Sequence, residues 1–261
     1  MSKPAIFITG AAAGIGRATA ELFVSRGWFV GLYDIDEATL RVMRERFGDD
    51  NCVTGKLDTT DVQAFAAALE SFWNASGLRL DVLFNNAGIA AVGDFETIDL
   101  AKHHRTIDVN LKGVINGCHL ALPYLIRTPD ARVISMCSAS AIYGAPALTV
   151  YSSTKFAVRG LTESLNVEWD RHGVRVMDIM PLFVNTPMVR QFESQPESAR
   201  KMGVRLTAED IAAVVWKGAT RPAWLTPVHF YPGLQTFMMH LLTKITPSFI
   251  NRFVVKKLSG Y

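Results

Sequence analysis

The sequence lacks the residue patterns of several protein classes. Its three cysteines (Cys52, Cys118 and Cys137) have neither a paired nor a metal-like spacing, so we expect reduced thiols and no disulfide framework. The six histidines form no HExxH or similar set, and we predict no bound metal. A net charge of +3 is too small to indicate a nucleic-acid partner.

Long apolar runs and acidic residues near the C-terminus are also missing. No run in the C-terminal part reaches the length of about 18 apolar residues that spans a bilayer, and the first residues do not resemble a secretory signal. We therefore expect a cytoplasmic protein. No acidic residue follows Asp210, whereas six lysines and arginines do, so the C-terminal part is basic.

Short apolar runs alternate with helical patterns along the whole chain. The first run, Ala5 to Thr9, suits a buried parallel strand, and Ala223 to Tyr231 is the last predicted strand. This alternation predicts an α/β fold, with a single doubly wound Rossmann-like parallel sheet of about seven strands and helices on both faces. We expect one domain over residues 1–261.

A glycine-rich turn follows the first strand and precedes a helical pattern. The glycines are Gly10, Gly14 and Gly16, with Ile15 between the last two. Strand, glycine turn and helix in this order form a phosphate-binding unit, because the free N–H groups of the helix N-terminus face the anion. The alternative, a loop with incidental glycines, does not explain its placement between a strand and a helix.

Asp34 closes the second predicted strand. A carboxylate there can accept hydrogen bonds from the adenine ribose hydroxyls and would repel a 2′-phosphate, so we favour NAD(H) over NADP(H). Arg17, in the first turn of the helix, would weaken this preference. Asp34 could instead cap the helix that begins near Asp36.

Further polar residues that could serve a site follow two predicted strands and interrupt one helical region. Asp58 could accept from the adenine amino group or cap the next helix. Asn85 and Asn86 could bridge the ends of neighbouring strands, and Gly88 allows backbone close to a ligand. Asn110 interrupts a long helical region, where it could bend the helix and hold a water, or be an ordinary exposed asparagine.

Tyr151 and Lys155 are four residues apart in a helical pattern, so their side chains share one face. A nearby ammonium favours the phenolate and lowers the tyrosine pKa, which suits proton transfer near neutral pH. Ser138 ends a buried strand, and its hydroxyl could bind the substrate oxygen that Tyr151 protonates. Cys137 would point to the opposite face of that strand. Tyrosine and lysine at this spacing also occur on ordinary surfaces.

TGAAAGIG, NNAG and Ser138 with Tyr151-x-x-x-Lys155 stand together in order and spacing. From about residue 4 to 230, the chain resembles the short-chain dehydrogenase/reductase family. The resemblance implies a nicotinamide cofactor and hydride transfer between a hydroxyl and a carbonyl, with Tyr151 as general acid/base and Ser138 orienting the substrate. It also implies that Lys155 binds the nicotinamide ribose and that Asn110 holds a proton-relay water.

The resemblance extends to the rest of the cofactor site and to assembly. It implies that Asp58 and the turn Asn86, Ala87 and Gly88 flank the adenosine half, and that Thr186 meets the carboxamide. It also implies a homodimer or homotetramer. One departure is Leu182, which stands where the family usually has glycine after Pro181.

Two C-terminal segments bear on the substrate. Residues 182–206 are predicted to form a mobile, partly apolar substrate flap that includes Met188, Phe192 and Met202. Residues 234–261 form an amphipathic basic extension, which could dock on the subunit or a neighbour, or rest on anionic lipid at the rim of an apolar substrate mouth.

The predicted substrate is a hydrophobic alcohol or ketone of steroid, retinol or lipid type. The alternatives are a small polar alcohol or sugar dehydrogenase, a non-catalytic dinucleotide-binding regulator, and a sugar-nucleotide epimerase on the same fold.

Overall fold

The computed structural model describes residues 3–190 and 196–261. Seven parallel strands form one sheet in the order β3-β2-β1-β4-β5-β6-β9. Their bounds are β1 Ala5–Thr9, β2 Phe29–Asp34, β3 Cys52–Lys56, β4 Val82–Asn85, β5 Arg132–Met136, β6 Arg175–Ile179 and β9 His229–Phe230. A second small sheet pairs β7 (Val184–Asn185) with β8 (Leu206–Thr207).

Helices connect the strands and cover both faces of the sheet. They are α1 Gly14–Ser25, α2 Glu37–Phe47, α3 Val62–Ala75, α4 Leu100–Ile107, α5 Gly113–Leu125, α6 Thr149–Glu168, α7 Pro187–Arg190, α8 Glu197–Met202, α9 Ala208–Thr220, α10 Leu234–Ile245 and α11 Ser248–Ser259. The predicted fold class, a doubly wound Rossmann-like sheet of seven parallel strands, is confirmed.

The sheet is buried on both faces, as the continuous apolar strands predict. Every residue of β1 and β5 is buried. On one face Phe7 stacks on Tyr33 with ring centroids 4.2 Å apart, and Phe65 and Phe72 from α3 pack beside it. The strand order reverses between β1 and β4, so the carboxyl ends of these two strands border the crevice in which such sheets bind ligands.

The last strand is shorter than predicted. It spans His229–Phe230, whereas Ala223–Leu225 forms a 3-10 turn with Trp224 exposed. Pro222 and Pro227 explain the difference, because proline has no N–H to donate to a strand ladder.

The interruption predicted near Asn110 is confirmed. Asp108–Lys112 forms one π-helical turn between α4 and α5. Single π-helical turns inside α-helices are frequently found at functional sites.

The segment predicted as a substrate flap contains β7, α7, α8 and the start of β8. Phe192, which the prediction assigned to this flap, lies outside the described residues. Among residues 3–190 and 196–261, no helix is both long and apolar enough to cross a membrane.

Candidate active site

The glycine-rich turn packs the start of α1 tightly against the end of β1. Gly10 has φ +67°, a conformation that suits glycine, and a Cβ there would lie 2.9 Å from the Cα of Ala87. A Cβ on Gly16 would overlap the carbonyl oxygen of Gly10. No side chain caps the N-terminus of α1, whose N-cap residue is Ala13, so its first N–H groups can bind an anion.

Asn86 joins the ends of β1 and β4. Its Nδ2 donates to the carbonyl oxygens of Thr9 and Gly10, each at 3.0 Å. The backbone N–H groups of Asn86 and Ala87 donate to Thr9 Oγ1. The predicted bridge between strand ends is therefore present at Asn86. Asn85 does not share in it, because its side chain is buried against α5 and donates to Cys118 Sγ.

Asp34 lies at the carboxyl end of β2 and lines the main cavity. One carboxylate oxygen accepts from the N–H of Ala12 at 3.0 Å, and the other accepts from the N–H of Asp36 at 3.1 Å. Asp36, not Asp34, caps α2 through the N–H of Thr39. Arg17 pairs with Glu21 on its own helix at 3.3 Å.

Asp58 does not line the cavity. Its carboxylate accepts from the N–H and hydroxyl of Thr60 and from Arg105 at 2.8 Å. Burial raises the pKa of Asp58, but the hydrogen bonds from Arg105 and Thr60 outweigh it and hold the pKa below its usual range. Asp61, and not Asp58, caps α3. The alternative in which Asp58 caps this helix is therefore wrong.

Ser138, Tyr151 and Lys155 meet above the carboxyl end of β5, and all three line the same cavity. Ser138 follows β5, and Tyr151 and Lys155 share one face of α6, with Lys155 Nζ 5.4 Å from the centroid of the tyrosine ring. Lys155 is buried and donates to the carbonyl oxygen of Met136 at 2.7 Å. The geometry thus brings together the three groups that the sequence singled out.

The pKa of Tyr151 differs from the sequence-based expectation. Burial raises it to about 12, while a hydrogen bond with Ser138 lowers it and Cys137 raises it further. Burial also lowers the pKa of Lys155, against the effects of Cys137 and Asp178. The expected fall in the tyrosine pKa is therefore not present here, because desolvation of the phenolate outweighs the favourable contacts.

Cys137 points away from Ser138, as strand alternation predicts. It is buried, and its Sγ donates to the carbonyl oxygen of Lys155 at 3.2 Å. Burial raises the pKa of this thiol to about 12, so no thiolate nucleophile forms near neutral pH.

Asn110 is fully buried in the π-helical turn and is not an exposed helix residue. Its Oδ1 accepts from the N–H of Ile89 at 2.8 Å, and its Nδ2 donates to the carbonyl oxygen of Ile89 at 2.9 Å and to Thr154 Oγ1 at 3.4 Å. Asn110 therefore ties α6, near Tyr151 and Lys155, to the loop after β4.

One cavity of about 630 Å³ joins these groups. Gly10, Gly14, Ile15 and Asp34 line one end of it, and Ser138, Tyr151 and Lys155 line the middle. Asn86, Ala87 and Gly88 border it on the β4 side. Its far wall is mainly apolar and comes from the segment after β5, from residues around α7 and α8, and from both C-terminal helices, including Leu148, Met188, Met202, Met238, Leu242 and Val254.

Thr186 and Leu182 both line the cavity. Thr186 is nearly buried, and its methyl group would contact a Cβ placed on Gly14 at 3.3 Å. Leu182 lines the cavity without a positive φ, so a side chain is accommodated at the position where the family usually has glycine.

The model of the short chain dehydrogenase family matches residues 4–197 of this chain. The chain belongs to the short-chain dehydrogenase/reductase family. It is 36% identical to the oxidoreductase UcpA of Salmonella typhimurium over 192 residues, which are 72% of each protein. It is 30% identical to cyclohexanol dehydrogenase of an Acinetobacter species, covering 80% of this chain and 84% of that one.

A solved member of this family has the same architecture. The 3-ketoacyl-(acyl-carrier-protein) reductase of Brucella melitensis, complexed with NADH, superposes with a TM-score of 0.79 at 25% identity. The match covers 87% of this chain and 95% of that one. The protein is thus an oxidoreductase with a Rossmann-like nucleotide-binding fold, of a family that binds nicotinamide dinucleotides.

The site fits such a cofactor. An uncapped helix N-terminus over close-packed glycines suits a pyrophosphate, Asp34 is placed for ribose hydroxyls, and the buried Lys155 lies beside Tyr151.

Two stretches of the cavity wall were not predicted from the sequence. They are Tyr143 with Gly144, and Ala145 and Pro146 with Leu148, all of which lie between Ser138 and Tyr151 in the chain. Their position in the chain offered a signal, because a segment joining two residues of one site must pass close to that site.

Proposed function

We propose that the protein is an NAD(H)-dependent oxidoreductase that interconverts a hydrophobic primary or secondary alcohol and its carbonyl compound. The observation that carries this proposal is the single cavity that runs from Asp34 past Ser138, Tyr151 and Lys155 to an apolar wall. Cofactor groups, proton-transfer groups and an apolar substrate surface lie along one continuous space.

The proposed chemistry assigns one task to each polar group. The nicotinamide ring supplies or accepts the hydride at the substrate carbon. In carbonyl reduction, Tyr151 donates its phenolic proton to the substrate oxygen while Ser138 hydrogen-bonds that oxygen. A raised tyrosine pKa keeps the phenol protonated at neutral pH, which suits this direction.

In alcohol oxidation, Tyr151 must accept a proton, so its pKa must fall when the reacting complex forms. The Lys155 ammonium, 5.4 Å from the ring, is the cation placed to favour the phenolate. Lys155 also binds the nicotinamide ribose, and Asn110 holds the π-helical turn behind the Tyr151 and Lys155 pair and orders the water that relays the proton.

The proposed preference for NAD(H) rests on charge. The carboxylate of Asp34 faces the cavity, whereas Arg17 is engaged by Glu21. The 2′-phosphate of NADP(H) would be repelled by the Asp34 carboxylate, and Arg17 would not offset this repulsion because it pairs with Glu21. This charge arrangement disfavours NADP(H). The turn Asn86, Ala87 and Gly88 is proposed to flank the adenosine half, and Thr186 to meet the carboxamide. The proposed contact of Asp58 with the adenosine half rests on the family resemblance alone, because Asp58 does not line the cavity.

A hydrophobic substrate is supported by the far wall of the cavity. Methionine and aliphatic side chains from α7, α8 and the two C-terminal helices dominate it. Cavities of this size bury most of a small ligand's surface, so a substrate with a large apolar body would gain most from this wall. A small polar alcohol or sugar would leave it without contacts.

The remaining expectations concern organisation and location. We propose one domain over residues 1–261 with residues 182–206 as substrate flap, a homodimer or homotetramer, and a cytoplasmic location with peripheral membrane contact through residues 234–261. The absence of a metal and of a nucleic-acid partner stays a prediction from the sequence.

Fluorescence titration with NADH and NADPH at matched salt tests the cofactor part. We expect tighter binding of NADH, and Asp34→Ala should reduce this preference. Tighter NADPH binding by the native protein would contradict the role given to Asp34, and binding of neither nucleotide would contradict the enzyme proposal as a whole.

A further inference from the structure

The two C-terminal helices, α10 and α11, are connected by Thr246 and Pro247 and are called the C-terminal hairpin here; each helix has an inner and an outer apolar side. The inner face lines the substrate half of the cavity through residues such as Met239, Leu242 and Val255. The outer face has its own helical spacing, with Leu234, Phe237, Leu241 and Ile245 on α10 and Phe249, Ile250 and Phe253 on α11. Packing over the cavity therefore accounts for only one of the faces.

The outer face is exposed to an unusual degree. Leu234 and Ile245 are 76% and 79% exposed, and Phe249 and Phe253 are 71% and 66% exposed. Single exposed apolar residues are common on proteins, but a group of large ones along one side of two consecutive helices indicates an interaction surface.

Cations stand on the same outer face. At 3.6 residues per turn, Arg252 and Lys256 fall beside Phe249 and Phe253 on α11, and Lys244 and Lys257 are also exposed. Within residues 3–190 and 196–261, none of these four cations pairs with a carboxylate. No acidic side chain follows Asp210, so the charge of the hairpin is of one sign.

Polar and aromatic contacts fix the hairpin to the rest of the subunit and join its two helices to each other. His240 stacks on Tyr231 with ring centroids 4.0 Å apart. Asn251 Nδ2 donates to the carbonyl oxygen of Thr246 at 3.1 Å and so joins the two helices. The hydroxyl of Tyr261 bonds the carboxylate of Asp94. These contacts hold the inner face over the cavity and leave the outer face available.

We propose that the outer face of this hairpin docks on an anionic lipid bilayer. Aromatic and aliphatic side chains would enter the boundary between headgroups and acyl chains, while the cations bind anionic headgroups. A second copy of this chain fits the face less well, because a two-fold contact would bring the cations of one copy against those of the other.

Docking here would place the apolar wall of the cavity next to the lipid surface. A hydrophobic substrate could then pass between the bilayer and the site along the hairpin. This second step rests on the proposed function, whereas the docking itself rests only on the outer face.

Cosedimentation of the NADH-bound protein with lipid vesicles tests the docking. It compares neutral phosphatidylcholine vesicles with vesicles that contain about a third phosphatidylglycerol. We expect binding to the anionic vesicles that is weakened by salt. The double variant Arg252→Gln with Lys256→Gln should lose about fivefold in affinity for each cation removed. Phe249→Ser with Phe253→Ser should lose about tenfold or more.

The matched control is Val42→Ser with Val62→Ser, which removes apolar side chains that are 63% and 52% exposed on α2 and on α3. It should bind vesicles like the native protein. Equal binding by the native protein and the hairpin variants, or no binding at all, would overturn the proposal. The proposal would also be overturned if the native protein were a dimer that does not bind vesicles and that dissociates in the variant Phe249→Ser with Phe253→Ser. The outer face would then be a contact between copies.

Turnover of a water-soluble alcohol separates this test from that of the proposed function. None of the four substituted hairpin residues lines the cavity, so this turnover should persist in the variants even where vesicle binding is lost. Absent turnover in the native protein would contradict the enzyme proposal and leave the vesicle result valid.

Discussion

The end of the cavity proposed to bind the cofactor and the C-terminal hairpin line one cavity but are held by different forces. Around Asp34, Asn86 and the buried Lys155, polar groups are fixed by hydrogen bonds of 2.7–3.1 Å that involve the backbone. The hairpin is held by side-chain packing and few polar contacts, and much of its apolar surface is exposed.

This difference suggests a division of labour. Buried hydrogen bonds impose one geometry and suit groups that transfer a proton or position a cofactor. Apolar contacts have little directionality and suit the selection of a substrate by size and hydrophobicity. The family model matches residues 4–197, and the hairpin lies beyond that match.

The largest expected effect is on the shared reaction. Tyr151→Phe removes the transferable proton and should lower kcat about a thousandfold. NADH affinity should not change, because the ring and the packing of α6 are kept. Steady-state kinetics with a parallel NADH titration measures both. Tyr124→Phe, on α5 and packed against Trp73, is the control and should keep full turnover. Unchanged turnover in Tyr151→Phe would remove the tyrosine from the mechanism.

The next effect concerns β9, at the junction of the two regions. His229 Nδ1 lies 2.9 Å from the buried carboxylate of Asp178, and Nε2 lies 3.0 Å from Glu163. Burial lowers the pKa of His229, but Asp178 outweighs this and the pKa is raised. His229→Gln should cost about 3 kcal/mol of unfolding free energy at pH 6, because a buried carboxylate loses its charged partner.

The sign of the pH dependence follows from the raised histidine pKa. The stabilisation is complete below the unfolded pKa of about 6.5 and is lost as pH rises through the folded value. Urea unfolding at pH 6 and pH 9 should therefore show a smaller difference between native protein and variant at pH 9. The exposed His119 gives the control His119→Gln, and a deficit that does not vary with pH would contradict the charged pair.

A third test acts on the glycine turn alone. Gly16→Ala places a Cβ against the carbonyl oxygen of Gly10 and should lower the free energy of unfolding by about 2 kcal/mol. It should also weaken NADH binding. Gly160→Ala is the matched control, since Gly160 lies inside α6 with open space around it. It should raise stability by about 0.5–1 kcal/mol. Equal effects of the two changes would show that the turn is not close-packed.

The smallest predicted effect belongs to the hairpin. Met238→Ser with Leu242→Ser removes two half-exposed apolar side chains from the cavity wall and should raise KM for a bulky hydrophobic alcohol about tenfold. NADH affinity should stay the same. Leu234→Ser, on the outer face, should leave KM unchanged. A change in NADH affinity instead of KM would show that the two regions do not divide the work as proposed.

The sequence predicted the parts of the fold that local pattern determines. The strands up to β6 and the interruption at Asn110 follow from apolar runs and from one polar residue in an apolar stretch. The apolar and polar patterns predicted the wrong structure where prolines or tertiary contacts override them. The strand predicted over Ala223 to Tyr231 is cut short by prolines, and Asn85 is drawn into a buried contact with α5.

Two site properties also needed three-dimensional context. A four-residue spacing places Lys155 beside Tyr151, but the tyrosine pKa depends on desolvation that only packing determines. The apolar residues of the hairpin form a helical stripe in the sequence, and spacing alone does not separate the residues over the cavity from those that face outwards.

The most direct test of this division of labour is kcat/KM for NAD⁺-dependent oxidation of alcohols of increasing apolar size at fixed pH and salt. We predict that kcat/KM rises about fourfold for each added methylene that the cavity buries, with sugars and small polar alcohols as the poorest substrates. A flat series, or one led by small polar alcohols, would contradict the hydrophobic wall as the substrate surface.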